Sequence, residues 1–329
     1  MRDIRFVLAV LLMTLLLCRP DAAALGALNA MVGWATTVAP AMFPFMALLP
    51  MLTAHVPGGR FTRRIGRVTE RFYRLPGSAV PVLAAAMLGG SPTGALAARR
   101  APGLNRGQMK RLALSACGWS PAFLVGGVGA GMLGDAALGH VLLRAQLATQ
   151  LLTPLLLRGA WREDDERMFP LSQREIEQPI RGAILAILTV CGWMTLFGAL
   201  GSAAGAVFGE ARAMPVLCLV DAITGLQRVA RLNMGIGGKL CVIGALCGLG
   251  GGCIALQNLS VLRPVGVKVG EYAIVRLLAA GEMAAFTWLQ QVLKWEIFAI
   301  PKLNPFAMAA LCASILTLIS ILSMKKTNS

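Results

Sequence analysis

The stretch "MLGGSPTGALAARR", residues Met87 to Arg100, follows an apolar run of Ala, Val and Leu and ends in two arginines. Its middle, Gly89 to Gly94, consists of glycine, serine, proline and threonine, which form turns in soluble proteins. Inside a bilayer the same residues would expose backbone N–H and C=O groups, which is tolerated only where protein or a cavity covers them. The stretch therefore predicts a helix break at membrane depth.

The amino-acid composition is that of an integral membrane protein. The 329 residues are 57% hydrophobic and 14% charged, with a mean hydropathy of +0.69, whereas about a quarter of a globular domain is charged. This length allows roughly eight to ten membrane segments of about 20 residues each. We therefore predict an all-α, polytopic fold.

The charge of the chain is strongly positive, at +16 from 31 Lys and Arg against 15 Asp and Glu. Much of it lies in short connections, as the positive-inside rule predicts, so nucleic-acid binding is not expected. Gly58 to Pro76 is the most basic segment and is predicted to be a cytoplasmic loop. Gly159 to Pro179 is mixed in sign and is predicted to be a solvated connection.

The residues that bind metals or perform acid–base chemistry are scattered. The eight cysteines form no CxxC pair, and the two histidines, His55 and His140, are far apart in sequence. No acid–base pair stands out at a membrane edge. We expect no metal, no cofactor, no catalytic residue and no enzymatic activity.

The N-terminus is open to two interpretations. Arg2 and Arg5 precede "FVLAVLLMTLLLC", and "DAAALG" follows shortly after. This order fits a signal peptide with a small-residue cleavage site, but it also fits a first membrane helix with basic residues on its cytoplasmic side. The further apolar segments downstream favour the uncleaved helix.

Ten apolar segments follow one another along the chain. They are Ile4 to Cys18, Ala22 to His55, Ser78 to Ala98, Arg111 to Leu133, Leu138 to Leu157, Ile180 to Phe208, Met214 to Leu226, Leu240 to Leu262, Tyr272 to Leu293 and Asn304 to Ser323. Prolines 40, 44 and 50 are expected to break the second segment, and Ser120-Pro121 the fourth.

Two landmarks recur at equal spacing. "GGSPTG" ends at Gly94, 27 residues before Pro121 in "CGWSPAF", and "DAITG" ends at Gly225, 27 residues before Gly252 in "GLGGGC". Each pair is a small-residue break followed by a second break in the next apolar segment. This spacing indicates an internal repeat.

Loop charge predicts how the two repeats are oriented. Arginines flank Ser78 to Ala98 on both sides, so this segment is predicted to be a re-entrant hairpin. Three spans separate it from the second hairpin, which must then enter from the opposite side, as in the inverted repeats of many transporters. The predicted organisation is N-terminal membrane helices at 1–57, a first repeat at 77–157, a charged connecting loop at 158–180, a second repeat at 181–293 and a C-terminal membrane helix at 304–324.

The segments "LPGSAVPVLAAAMLGGSPTGALAARR" and "LALSACGWSPAFLVGGVGAGML" resemble sporulation integral membrane proteins of the YlbJ type, in the nucleoside-recognition (Gate) domain superfamily. "GWATTVAPAMFPFMALLPML", "DAITG" and "GGCIALQ" fit the same pattern. The chain departs from it at Cys117, Asp221, Cys253 and Ile254. The resemblance implies a multi-pass membrane protein of spore-forming bacteria that moves a small solute during spore maturation, with a dicarboxylate such as dipicolinate as a plausible cargo.

The sequence and the resemblance together predict a transporter of a small polar, anionic metabolite, dipicolinate-like or nucleoside-like. Its expected partners are the lipid bilayer and a solute, and a homo-oligomer is compatible with the sequence. The alternative is a non-transporting membrane scaffold for envelope or spore assembly. The predicted location is the bacterial cell membrane or a membrane around the developing spore.

The candidate solute-binding residues lie at the predicted breaks and beside them. They are Gly89, Gly90, Ser91, Pro92, Thr93, Gly94, Ser120, Pro121, Asp221, Thr224, Gly225, Gly251, Gly252, Gln257 and Asn258. Asp221 and Glu282 are the candidates for ion coupling, because acids at membrane depth are costly and usually functional. Asp221 would also serve as a helix N-cap. Arg276 is expected to snorkel from a helix end, without a functional role.

Overall fold

The computed structural model describes residues 2–54, 60–99, 103–161 and 179–293. Within these ranges the chain consists of helices and short connections, and no β-strand is present. The predicted all-α class is therefore confirmed. The predicted C-terminal helix, His55 and most of the mixed-charge connection lie outside the described residues.

The first half of the chain contains eight α-helices and one long π-helix among its described residues. They are α1 (Arg2–Cys18), α2 (Pro20–Gly33), α3 (Ala39–Ala54), α4 (Arg60–Tyr73), α5 (Val80–Gly89), α6 (Thr93–Ala98), α7 (Arg106–Ser115), the π-helix Phe123–Met132 and α8 (Ala136–Leu156).

The second half contains six α-helices among its described residues. They are α9 (Pro179–Phe208), α10 (Glu210–Val220), α11 (Ala222–Arg231), α12 (Ile236–Leu249), α13 (Gly251–Leu262) and α14 (Val269–Val292).

Several of these helices are long and apolar enough to cross a membrane. In the described residues three runs meet this test, Ile180–Phe208, Ile236–Val265 and Val269–Val292, and the second contains both α12 and α13. Phe6–Cys18 and Pro20–Val38 together form a fourth candidate span, bent by 100°. The chain is a multi-pass membrane protein.

Two predictions about local structure are wrong. The basic segment predicted to be a loop forms α4 instead. Its arginines do not oppose helix formation, and the exposed Val68 and Phe72 are one turn apart on the same face, as in helices that lie at a membrane surface.

The prolines of the second apolar segment do not interrupt it either, because the chain stays helical from α2 through a π-helical turn, Trp34–Val38, into α3. Membrane helices tolerate proline where neighbouring groups and π-turns accommodate the freed carbonyls.

Side-chain caps begin two helices in the first half. The Asn105 side chain accepts from the Gln108 amide at 2.8 Å, and the Gln108 side chain accepts from the Asn105 amide at 3.0 Å, which is a reciprocal capping box at the start of α7. The Asp135 side chain accepts from the Ala137 amide at 2.8 Å and caps α8. These caps fix where the helices around the predicted breaks begin.

Glycines allow two pairs of helices to pack backbone against backbone. A Cβ atom added at Gly26 of α2 or at Gly198 of α9 would overlap the backbone of the opposite helix. A Cβ at Gly244 of α12 would lie 2.8 Å from the Thr287 hydroxyl of α14, and one at Gly248 would overlap Ala280. These packed pairs form a scaffold around the broken helices, as expected for small residues at membrane helix interfaces.

Candidate functional site

The first two predicted breaks are present and touch each other. Helix α5 ends at Gly89 and α6 begins at Thr93, with a cis peptide between Ser91 and Pro92. The next break lies between α7 and the π-helix, and there the Gly118 carbonyl accepts from the Ser91 amide at 2.6 Å. Gly90 has a φ of 65°, and an added Cβ would lie 2.5 Å from the Ser120 amide nitrogen. Only glycine fits this close approach without strain.

The third and fourth breaks form a similar pair in the second half. Asp221 separates α10 from α11, and Gly250 separates α12 from α13. Gly251 has a φ of 69°, and a Cβ added there would lie 2.9 Å from the Ala222 amide nitrogen. In each half, therefore, a glycine with positive φ presses one break against the backbone of the other.

Asp221 is the N-cap of α11. Its carboxylate accepts from the amides of Ile223, at 3.3 Å, and Thr224, at 3.4 Å, and from the Thr224 hydroxyl. Thr224 therefore lies in the first turn of α11, and the unwound position is Asp221 itself. A carboxylate held by amides at a helix start is electrostatically favourable.

A small cavity lies where the two pairs of breaks meet. It has a volume of about 40 Å³, and Ser91, Ser120, Asp221 and Gln257 are among the residues that line it. This volume accommodates water but no metabolite. Four predicted site residues from both halves thus lie around one cavity.

A much larger cavity opens beside the small one. It measures about 880 Å³ and is bounded by α2, α3, α9, the π-helix and α10–α11. Its polar lining is Asn29, Thr36, Thr37, Ser202, Asp221, Thr224, Gln227 and Arg228. Asp221 lines both cavities, so this residue lies between the large cavity and the meeting point of the breaks. A cavity of this size is typical of small-molecule sites.

Arg276 was missed as a site residue, and the prediction that it snorkels is wrong. Its side chain on α14 is only 5% exposed. The guanidinium donates to the carbonyls of Cys117, at the end of α7, and of Gly248, near the end of α12. It also reaches the Leu249 carbonyl, at 3.4 Å. Arg276 therefore joins one break of each half by satisfying carbonyls that the broken helices leave without partners.

Asn258 makes a second connection between the halves. Its side-chain amide on α13 donates to the Ser91 hydroxyl at 3.2 Å and to the Tyr272 hydroxyl at 2.9 Å. Asn258 is fully buried behind Ser91, and it is not among the residues that line the two cavities. It contacts Ser91 and lines neither cavity.

The remaining predicted residues have other surroundings. Gly94 packs against Ala116, and a Cβ added at Gly225 would lie 2.9 Å from the backbone of Cys218. Thr93 is buried at 3% exposure, and Glu282 lies on α14, where it accepts from the Thr153 hydroxyl at 2.7 Å. Glu282 is therefore separate from the two cavities.

The chain is similar to a curated protein, the sporulation integral membrane protein YlbJ of Bacillus subtilis (strain 168). The two are 24% identical over 307 residues, which cover 78% of this chain and 74% of that protein. The predicted resemblance to the YlbJ type is confirmed, and so is a multi-pass location in the bacterial cell membrane. No family model matches the chain, so membership of the Gate superfamily stays a prediction. No solved structure matches it.

Proposed function

We propose that this protein transports a small polar, anionic metabolite across a membrane during sporulation. The observation that carries the proposal is the meeting of two pairs of broken helices at one small cavity, beside a cavity of about 880 Å³ that shares Asp221 with it. Broken helices around a central site are the usual architecture of secondary transporters. The similarity to a sporulation protein of Bacillus subtilis supports the cellular role.

The proposed arrangement is two inverted repeats, residues 77–157 and 181–293. Each half has a hairpin-like pair, α5–α6 or α10–α11, and a broken helix packed against it. A rocking motion of one half against the other would open the small cavity to one side and then to the other. The small cavity is too small for a metabolite as described, so passage of a solute would require it to widen.

The electrostatics of the two cavities favour an anion with a coupling proton or cation. Helix α13 begins at Gly251 without a side-chain cap, so its first amides can donate to a carboxylate. Arg228 adds a positive charge to the large cavity, and Asp221 is the proposed ion-coupling group between the cavities. A dicarboxylate of the dipicolinate type is therefore the first cargo to test, and a nucleoside is the second.

The test is uptake of radiolabelled dipicolinate or uridine into proteoliposomes that contain the purified protein. We expect Gly90→Ala to lower the initial rate at least about tenfold, equivalent to ~1.4 kcal/mol in the barrier, because the added Cβ would collide with the Ser120 amide. Gly192→Ala is the matched control, since its Cβ would have no neighbour within 4 Å. Its rate should stay within about twofold of wild type.

Absence of uptake for a folded wild-type protein, over a panel of small anions and nucleosides, would contradict transport. Recovery of one stoichiometric envelope protein with it would then favour the scaffold alternative.

A further inference from the structure

Helix α8 turns a polar stripe toward the protein interior. Gln146, Thr149, Gln150 and Thr153 follow the spacing of one helix face, and each is only 2–3% exposed. A buried face in a membrane protein is normally apolar or made of small residues. Four buried polar side chains in this register therefore require hydrogen-bonding partners.

The donor groups of this stripe contact α5, α14 and the break at Gly118. The Gln150 amide donates to the Ala86 carbonyl of α5 at 3.2 Å, and the Thr153 hydroxyl donates to Glu282 Oε2 of α14 at 2.7 Å. A Cβ added at Gly118 would overlap the side-chain nitrogens of both Gln146 and Gln150. The stripe thus connects the break at Gly118 with the acid on α14.

Among the described residues, three oxygens of this stripe and one oxygen of Glu282 lack hydrogen-bond partners. Four buried oxygens, Gln146 Oε1, Thr149 Oγ1, Gln150 Oε1 and Glu282 Oε1, accept no hydrogen bond within the described residues. Amide carbonyl oxygens and carboxylate oxygens can only accept. Buried acceptors along α8 and on Glu282, which the Thr153 hydroxyl joins to this stripe, are therefore complementary to a cation.

The charged groups near Glu282 have other partners. Arg276, on the same helix, acts on it electrostatically, but the Arg276 guanidinium donates to backbone carbonyls. On the packed helices, Arg144 of α8 donates to Gln290 at 2.7 Å, and Lys110 of α7 pairs with Glu271 at 3.7 Å. In the described part of the chain, Glu282 has no ion-pair partner within 4 Å.

We propose that the seam between α8 and α14 binds a monovalent cation, Na⁺ or a proton, with Glu282 as the charged ligand. Thr149, Gln150 and Thr153 supply the neutral oxygens. One carboxylate with amide and hydroxyl oxygens suits a single positive charge better than Ca²⁺, whose sites use several carboxylates. Intramembrane acids of this kind serve as proton and cation carriers in transporters.

This cation site would supply the coupling ion for the proposed transport, and its biological role rests on that proposed function. Because Gln146 and Gln150 contact Gly118, and Gly118 accepts from Ser91, cation binding at the seam is linked to the first pair of breaks. Occupancy of the site would bias the position of the break that faces the solute cavity. The seam would then couple ion movement to solute movement.

The test for Na⁺ uses the purified full-length protein and needs no transport. Thermal unfolding is followed by tryptophan fluorescence in NaCl and in choline chloride at equal ionic strength. If Na⁺ is the ligand, NaCl raises the midpoint of the wild type, and Glu282→Gln or Thr149→Val abolishes this rise. Thr287→Val is the matched control and should keep it, because the buried Thr287 hydroxyl already donates to Met283 at 2.7 Å.

The test for a proton uses infrared spectroscopy without Na⁺. If a proton is the ligand, the wild type shows a protonated-carboxyl band that disappears at high pH and is missing in Glu282→Gln, whereas Thr287→Val retains it. A wild type with neither the Na⁺-dependent rise nor this band would overturn the proposed site. Because both readouts measure binding, this result would leave the uptake experiment independent, and a failure of uptake would leave the cation site standing.

Discussion

At the scale of single residues, Arg276 connects the broken helices of the two halves. Its guanidinium contacts the carbonyls of Gly248 and Cys117, which are 28 and 159 positions away in sequence. A buried charge is stable only when paired or fully hydrogen-bonded. Here the carbonyls that the helix breaks leave without helical partners accept from the Arg276 guanidinium. The guanidinium and the breaks therefore stabilise each other.

We expect Arg276→Lys to lower the free energy of unfolding by about 2 kcal/mol, because an ammonium cannot reproduce the planar set of N–H donors. Chemical denaturation of the purified protein in detergent measures this change. Arg212→Lys, on an exposed position of α10, is the control and should have an effect within about 0.5 kcal/mol. An equal, small effect of both substitutions would contradict the bridging role of Arg276.

The role of Arg276 could not be predicted from the sequence, whereas the roles of the glycines could. Gly90 and Gly251 belong to local runs of glycine and other turn-forming residues inside apolar segments, and such runs can be recognised from the sequence as candidate helix breaks. Arg276 is one cation in an apolar segment, and its partners are determined by how distant helix ends pack. The polar stripe of α8 is intermediate, because its helical spacing is visible in "QLATQLLT" but its partners on α5 and α14 are not.

At the scale of elements, the repeated unit is a pair of breaks pressed together through a glycine. The first pair uses Gly90 against Ser120, and the second uses Gly251 against Ala222. The sequence predicted the breaks because turn-forming residues interrupted apolar segments. It did not predict α4, because a charge-rich segment was assigned to a loop although apolar residues recur within it at helical spacing.

We expect Gly251→Ala to destabilise the protein by roughly 1–3 kcal/mol, since φ is positive and the Cβ would press on the Ala222 amide. Thermal unfolding in detergent measures this loss. Gly281→Ala is the control, because this exposed glycine of α14 has open space around it. If Gly251→Ala unfolds at the same temperature as the control, the two breaks are not in the contact described.

At the scale of the whole molecule, the proposed transport mechanism requires two halves of opposite orientation. The pairing of breaks within each half is seen directly, and Arg276 and Asn258 connect the halves. Their opposite orientation in the membrane stays a prediction, which rests on loop charge for the first half and on the number of intervening spans for the second. The number of spans can be predicted from the sequence. The resulting orientation, however, places three basic residues on the outer side, against the positive-inside rule: Arg228, Arg231 and Lys239.

The most direct measurement of this claim is the sidedness of two epitope tags, one inserted after Gly103 and the other after Gly235. Both glycines have open space around them, so each connection can accommodate an insertion. Antibody labelling of intact and permeabilised spheroplasts reports the side of each tag. Inverted halves predict that the tag at Gly103 is labelled only after permeabilisation and the tag at Gly235 also in intact spheroplasts. Both tags on the same side would contradict the account.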